Sequence, residues 1–350
     1  MPHSSAILMA GSMIGCLSDP LPATVAAGQP DDNSRRAVGQ KQPAPAEPSQ
    51  RRLGSKTLGG RQFWGDRVFW HGWRIQQNVI TGHHRLIDQK DFRFASGTMD
   101  VCRAKLKDIQ SEPASKPMTG TVVVLVHGLG RSSKSFSAMS RQVQQAGLTA
   151  IPFDYPSTRI KIDESVEFLH STLMSMPNVE RVHFVVHSLG GLLVRRYAQK
   201  YGGERIGRVV MLGVPNSGAK MADILRGNPL FKAVLGPAGQ ELISDADGLA
   251  ARSSTPKFEF AVIAGGRGNA AGFNPLIPGD DDGTVGVQST RLAGARDFAV
   301  VPRIHSFLML DPRVMQMTVE FLKTGRLRRD QPRQPIEPPK PSQPKKPAGD

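Results

Sequence analysis

The sequence predicts an α/β fold: a mostly parallel central sheet of about six strands flanked by helices, with disordered N- and C-terminal segments. Two observations predict it. From Thr121 onward, apolar runs of four to six residues recur at Val122–Val126, Leu148–Phe153, Val182–Val186, Val209–Leu212, Phe258–Ile263 and Phe298–Val301. They are continuous rather than alternating, which is how strands buried on both faces of a parallel sheet read. Segments of helical period lie between them, near residues 134–146, 162–175, 189–201 and 218–226, with a last one at 313–323. Strand–helix alternation of this kind gives an open sheet covered on both sides.

The domain that these runs build is expected at residues 119–324, and what flanks it differs in composition. Net charge is +15, but residues 1–50 carry −1, 51–107 carry +8, 108–324 carry +4 and 325–350 carry +4. The excess sits on the flanks, and the long middle region has no Lys/Arg cluster able to track phosphates. No nucleic-acid partner is expected. Residues 19–60 read as a linker rich in Pro, Ala, Gly and Gln, and the tail 325–350 as a Pro/Lys/Arg-rich segment with too little apolar area to fold.

Residues 1–18 form a candidate signal or lipoprotein segment. The apolar stretch 6–16 ends in Met13-Ile14-Gly15-Cys16, which resembles a lipobox whose cysteine would be lipidated. Against it, no Lys or Arg precedes the stretch, and Met13 stands where Leu is usual. The expectation is a cell-envelope or secreted protein, set against a cytoplasmic one with a plain N-terminal segment. The chain has two cysteines, too few for a disulfide framework. No apolar run is long enough to span a bilayer.

Residues 61–118 form a Trp-rich N-terminal extension. Trp64, Trp70 and Trp73 fall within ten residues, among Phe63, Val68 and Phe69, with Arg61, Arg67 and Arg74 interspersed. Such a segment either lies in a membrane interface, making residues 61–75 a membrane-association element alongside Cys16, or packs its rings onto the neighbouring core.

The strongest local signal is Val182-His183-Phe184-Val185-Val186-His187-Ser188-Leu189-Gly190-Gly191. A buried strand runs directly into a helix with a serine at the junction and glycine two residues later, the pattern of a nucleophile elbow. The first glycine of Gly-x-Ser-x-Gly is replaced by Val186, and a serine capping an ordinary helix is the plainer alternative. Upstream, Val122–Val126 leads into His127-Gly128-Leu129-Gly130, which places a flexible backbone at the same rim. There the amides of Leu129 and Leu189 would form a two-donor oxyanion hole. The Gly-x-x-x-x-Gly-Lys pattern of a phosphate loop is missing. One histidine, His305, follows Ser188 in the chain, and three aspartates, Asp280, Asp281 and Asp282, follow the strand Phe258–Ile263. Their spacing does not match an EF-hand loop, and no metal is expected.

Together these pieces resemble the α/β-hydrolase superfamily, in particular its small lipase and PGAP1-like serine esterase branch, over about residues 121–324. The resemblance implies the chain order nucleophile, acid, histidine: Ser188, Asp282 and His305, with Leu129 and Leu189 as oxyanion donors. Asp282 is chosen because Asp282-Gly283-Thr284-Val285 is similar to the acid loop of small lipases; Asp281 and Asp280 stand as alternatives. Gly213-Val214-Pro215-Asn216-Ser217-Gly218 resembles the family's Gly-Thr-Pro-His-x-Gly loop, departing at Val214 and Asn216. Tyr155, at the end of another strand, and Asn216 are expected to contact substrate. The implied activity is cleavage of carboxylic esters, lipid or acylglycerol esters above all, with no cofactor. Transfer of the acyl group to an acceptor other than water, or a non-catalytic binding protein on the same fold, are the alternatives.

Overall fold

The computed structural model describes residues 55–57, 60–113 and 115–338, apart from the side chains at 55, 56, 230–232 and 234. Cys16 and its candidate signal segment, most of the 19–60 linker and the end of the tail lie outside the described residues.

The extension is a folded unit of its own pattern. Strands β1 (Ser55–Lys56), β2 (Trp64–Trp70), β3 (Trp73–Asn78), β4 (His84–Ile87) and β5 (Phe92–Gly97) pair antiparallel in the order β1-β5-β4-β3-β2, followed by helix α1 (Met99–Gln110). Ile75 and Leu86 pack on Cys102 and Leu106 of α1. The polar positions Arg74, Gln76 and Arg85 are buried as well, so no clean apolar alternation marks these strands in the sequence. Several aromatic and basic side chains of residues 61–75 make packing contacts within the fold. Phe69 joins the main core, Trp73 packs edge-on to Phe94 at 4.7 Å, Arg85 covers Trp64 at 3.9 Å, and Arg67 covers Phe168 at 3.8 Å.

The remainder alternates β6 (Gly120–Val126), α2 (Ser137–Gln145), β7 (Thr149–Phe153), α3 (Ile162–Met174), β8 (Val179–His187), α4 (Leu189–Tyr201) and β9 (Ile206–Leu212). It continues through α5 (Lys220–Leu225), α6 (Pro229–Gln240), α7 (Leu249–Arg252), β10 (Glu259–Gly265), α8 (Val287–Thr290), β11 (Asp297–Val301) and α9 (Pro312–Thr324). The six strands are all parallel, in the order β11-β10-β9-β8-β6-β7. Side chains along each strand alternate between two cores. Val122, Val124 and Val126 of β6 join Phe184 and Val186 of β8 under α3 and α4. Val123 and Leu125 join Val185 and Val210 under α2 and α9. Burial on both faces is why these strands read as unbroken apolar runs.

Helix α9 is well specified. Asp311 accepts hydrogen bonds from the amides of Arg313 and Val314, Pro312 occupies the first turn, and Gly325 closes the helix in a left-handed conformation at φ 72°. Beyond it the chain departs from the expected disordered tail. The buried carboxylate of Asp297 accepts from the amides of Leu327 and Gln334. Ile336 exchanges backbone hydrogen bonds with Gly294 and Ala295. Residues 325–338 are thus held by backbone bonds to one aspartate and one loop, with Leu327 and Ile336 buried as single apolar anchors rather than as an apolar run.

Candidate active site

Chain order along the sheet reverses at β6, which has β7 on one side and β8 on the other. In open parallel sheets such a switch point opens a crevice at the carboxyl ends of the strands. The loops after β6, β8, β9, β10 and β11 all emerge at this edge, and they carry Leu129, Ser188, Gly213, Asp282 and His305.

Ser188 sits between β8 and α4 with φ 53° and ψ −124°. A left-handed conformation at a residue with a side chain costs about 1–3 kcal/mol and persists only where the surroundings impose it. Here they do: the Ser188 amide donates to the Leu212 carbonyl of the neighbouring strand at 2.9 Å. The tight turn also needs room behind it. A Cβ on Gly190 would lie 2.7 Å from the Val126 carbonyl oxygen, and one on Gly191 would lie 2.3 Å from Val214. Val186, which departs from the motif, is fully buried beside Val126 and Met211 as an ordinary core residue.

The three aspartates separate cleanly. Asp280 accepts from the amides of Arg267 and Gly268. Asp281 accepts from those of Asn274 and Gly283. Asp282 places Oδ2 2.7 Å from His305 Nδ1, while its Oδ1 accepts from the amides of Thr284 and Val285. With Nδ1–H donating to the carboxylate, the free nitrogen of His305 is Nε2, the tautomer a general base requires. Ser188 and His305 share one edge of the sheet. Gly213 follows Leu212, the acceptor of the Ser188 amide, and a Cβ on it would lie 3.1 Å from His305 Nδ1 and 3.2 Å from Asp282 Oδ2.

His187 was not singled out by the sequence reading. Its Nε2–H donates to the His305 carbonyl at 3.1 Å, and burial holds its imidazole well below the usual value. It is a neutral prop under the histidine backbone. Its position immediately before the serine is the only signal the sequence offers.

The amide of Leu189 opens α4, where a helix has no internal acceptor for it. That of Leu129 donates to no acceptor among the described residues. A Cβ on Gly128 would lie 3.0 Å from the Ser188 Cβ, so this loop passes directly beside the serine. Both residues thus lie in backbone next to Ser188, one in the loop after β6 and one at the start of α4.

Tyr155 and Asn216, expected to contact substrate, are both buried and hydrogen-bonded within the protein. Tyr155 is 1% exposed; its ring stacks on His127 at 4.4 Å and its hydroxyl donates to the His127 carbonyl at 2.9 Å. Asn216, 5% exposed, accepts from Arg195 and donates to the Thr290 carbonyl. Each of these bonds fixes a neighbouring loop.

Residues 121–230 match the family model described as alpha/beta hydrolase fold, and the architecture is that of the α/β-hydrolase fold. No curated protein matches the sequence. Among solved structures, the chain is similar to Bacillus licheniformis lipase BlEst2 in mature form, with 20% identity, 61% of this chain and 95% of that chain covered, and a TM-score of 0.46. It is similar to Paleococcus ferrophilus monoacylglycerol lipase, at 19% identity, 58% and 96% coverage and a TM-score of 0.42. A third likeness is to the metagenomic carboxyl esterase MGS0156, at 19% identity, 56% and 68% coverage and a TM-score of 0.42.

Proposed function

We propose that the protein is a serine hydrolase that cleaves carboxylic esters through an acyl-enzyme on Ser188. The observation that carries this reading is the 2.7 Å contact between Asp282 and His305 Nδ1 at the same sheet edge as a serine held at positive φ. His305 Nε2 takes the hydroxyl proton as Ser188 attacks the ester carbonyl, and Asp282 stabilises the imidazolium. The oxyanion collects against the amides of Leu129 and Leu189. As it collapses, the imidazolium protonates the departing alcohol, and water then attacks the acyl-enzyme by the same route.

The substrate class we infer is apolar, lipid or acylglycerol esters. His305 begins a 3₁₀-helix, His305–Leu310, and residues three apart share one face of such a helix. Ile304, Phe307 and Leu310 form that face, and all three are exposed. An apolar stripe beside the base suits an acyl chain or a lipid surface. If the protein associates with membranes, this stripe supports the contact better than residues 61–75, whose rings are packed. A fluorophosphonate probe that labels the wild type but not Ser188→Ala, with free acid released from p-nitrophenyl esters of rising chain length, supports the proposal. Unchanged labelling of Ser188→Ala removes it, and a requirement for an added acceptor would favour acyl transfer.

A further inference from the structure

We propose that the N-terminal sheet is an internal brace for the oxyanion loop, and that Gln62 is the positioning residue through which it acts. The inference rests on the reading of Leu129 as an oxyanion donor. Leu129 makes no hydrogen bond of its own among the described residues, so the direction of its amide is set by what holds the rest of the 127–133 loop.

Much of that hold comes from outside the hydrolase domain. Gln62 lies in the short 3₁₀-helix Arg61–Phe63, just ahead of β2. Its Nε2 donates to the Arg131 carbonyl. Its Oε1 accepts from the hydroxyls of Ser157, at 3.1 Å, and Thr158, at 3.0 Å. Ser157 Oγ in turn accepts from the Gly130 amide at 3.0 Å. One side-chain amide thus ties down the two residues that follow Leu129, one directly and one through a fully buried serine. Only a group with both a donor and an acceptor can do this. Arg131 carries the constraint further, since its guanidinium donates to the Ser306 carbonyl beside His305 at 3.1 Å.

The far end of the loop is held from the same direction. The amide and hydroxyl of Ser133 donate to Asp154 at 2.7 and 2.8 Å. Asp154 is pinned by Arg74 of β3, whose guanidinium donates to it at 2.6 Å and to Asp91 at 2.7 Å. Asp66 of β2 and Asp154 also exchange bonds: the Asp66 amide donates to the Asp154 carbonyl, and the Asp154 amide donates to the Asp66 carboxylate. Burial alone would raise the Asp154 pKa, yet Arg74 and the other cationic neighbours hold it well below the usual carboxylate range. The loop is thus gripped at 130–131 by Gln62 and at 133 by the Arg74–Asp154 pair, with Leu129 just ahead of both grips.

The experiment uses the full chain and two readouts, of which one needs no activity. In Gln62→Ala, hydrogen exchange at residues 129–131 should quicken by about fivefold or more while α4 is unchanged. With p-nitrophenyl butyrate, kcat per labelled active site should fall by about 10- to 100-fold with KM little altered, as expected when only transition-state contacts loosen. Affinity for a boronic acid that forms a tetrahedral adduct should fall in parallel. Gln62→Glu, which keeps the acceptor but loses the donor to Arg131, should fall between, and Lys105→Ala on the exposed face of α1 should change nothing. Unchanged exchange at 129–131, or a kcat loss that vanishes on correcting for active sites, would overturn the brace. Quickened exchange in a protein whose wild type hydrolyses no ester would instead overturn the proposed function and leave the brace standing.

Discussion

Asp282 and His305 are joined twice. The carboxylate meets Nδ1 at 2.7 Å, and the His305 amide donates to the Asp282 carbonyl at 2.8 Å. The backbone bond survives any change of side chain, so the two loops stay together when the carboxylate is altered.

That makes Asp282→Asn a test of chemistry rather than of folding. The Oδ1 position faces the amides of Thr284 and Val285 and must remain an acceptor. The new NH₂ is therefore forced toward His305 Nδ1, which must accept, and the proton moves to Nε2. A base in that tautomer cannot take the serine proton, and ester turnover should drop by about 10³- to 10⁴-fold. Asp281→Asn disturbs the backbone amides of Phe273, Asn274 and Gly283 rather than His305, costing about 1–3 kcal/mol in stability and much less in rate. Steady-state kinetics and urea melts on both variants decide it, and the reverse ranking would shift the acid to Asp281.

Ser188→Gly should separate strain from function. Relief of the φ 53° conformation, less the entropy of a more flexible unfolded chain, should raise stability by about 1 kcal/mol. Fluorophosphonate labelling should vanish in it. Ser188→Ala should lose labelling without the gain, and a melting temperature for the Gly variant below that of the Ala variant would contradict strain at the elbow.

Acid should weaken the fold at pH values well above the usual carboxylate range. Burial holds His127, His183 and His187 below the usual imidazole value, His183 down to about 4. Unfolded, they take protons near pH 6.5, so between there and their folded values the unfolded chain binds more protons and stability falls with pH. Asp66, pushed up to about 6 by burial, works oppositely, since it is protonated in the folded state first. His84 is lowered as well and Asp281 is raised, both by burial, and four imidazoles outweigh two carboxyls. The urea midpoint should decline from pH 7 to pH 5, and a midpoint that rises over this interval would refute the balance.

The tail offers a fourth measurement. Removing the Asp297 carboxylate in Asp297→Ala leaves the amides of Leu327 and Gln334 without their acceptor. Cleavage within residues 326–338 by limited proteolysis should accelerate severalfold, and ester turnover should hold within about twofold because the site lies elsewhere. Unaltered proteolysis would mean that the Asp297 bonds are not what holds the segment, leaving that to Leu327, Ile336 and the Arg329–Glu320 pair.

Much of the domain was legible because its strands are buried twice over. Val122–Val126 and Val182–Val186 must be apolar at every position to satisfy two cores, and that leaves a continuous run. The N-terminal strands were not legible for the opposite reason: Asp66, Arg74, Gln76 and Arg85 are buried but polar, so hydropathy reports a surface where there is an interior. Tyr155 and Asn216 lie at the rim of the sheet, where both are buried and hydrogen-bonded to neighbouring loops. Position along a strand says where a side chain begins, not which neighbour uses up its hydrogen bonds.

By itself the sequence determined the alternation of parallel strands and helices, and the serine at a strand–helix junction with its glycines behind it. These follow from local rules of burial, periodicity and close approach. Only the tertiary structure decided which of three adjacent aspartates meets His305, and that Gln62, about 70 residues upstream in the chain, grips the loop carrying Leu129. Such choices depend on directed contacts between segments distant in the chain, and hydrogen bonds of that kind leave no period in the sequence.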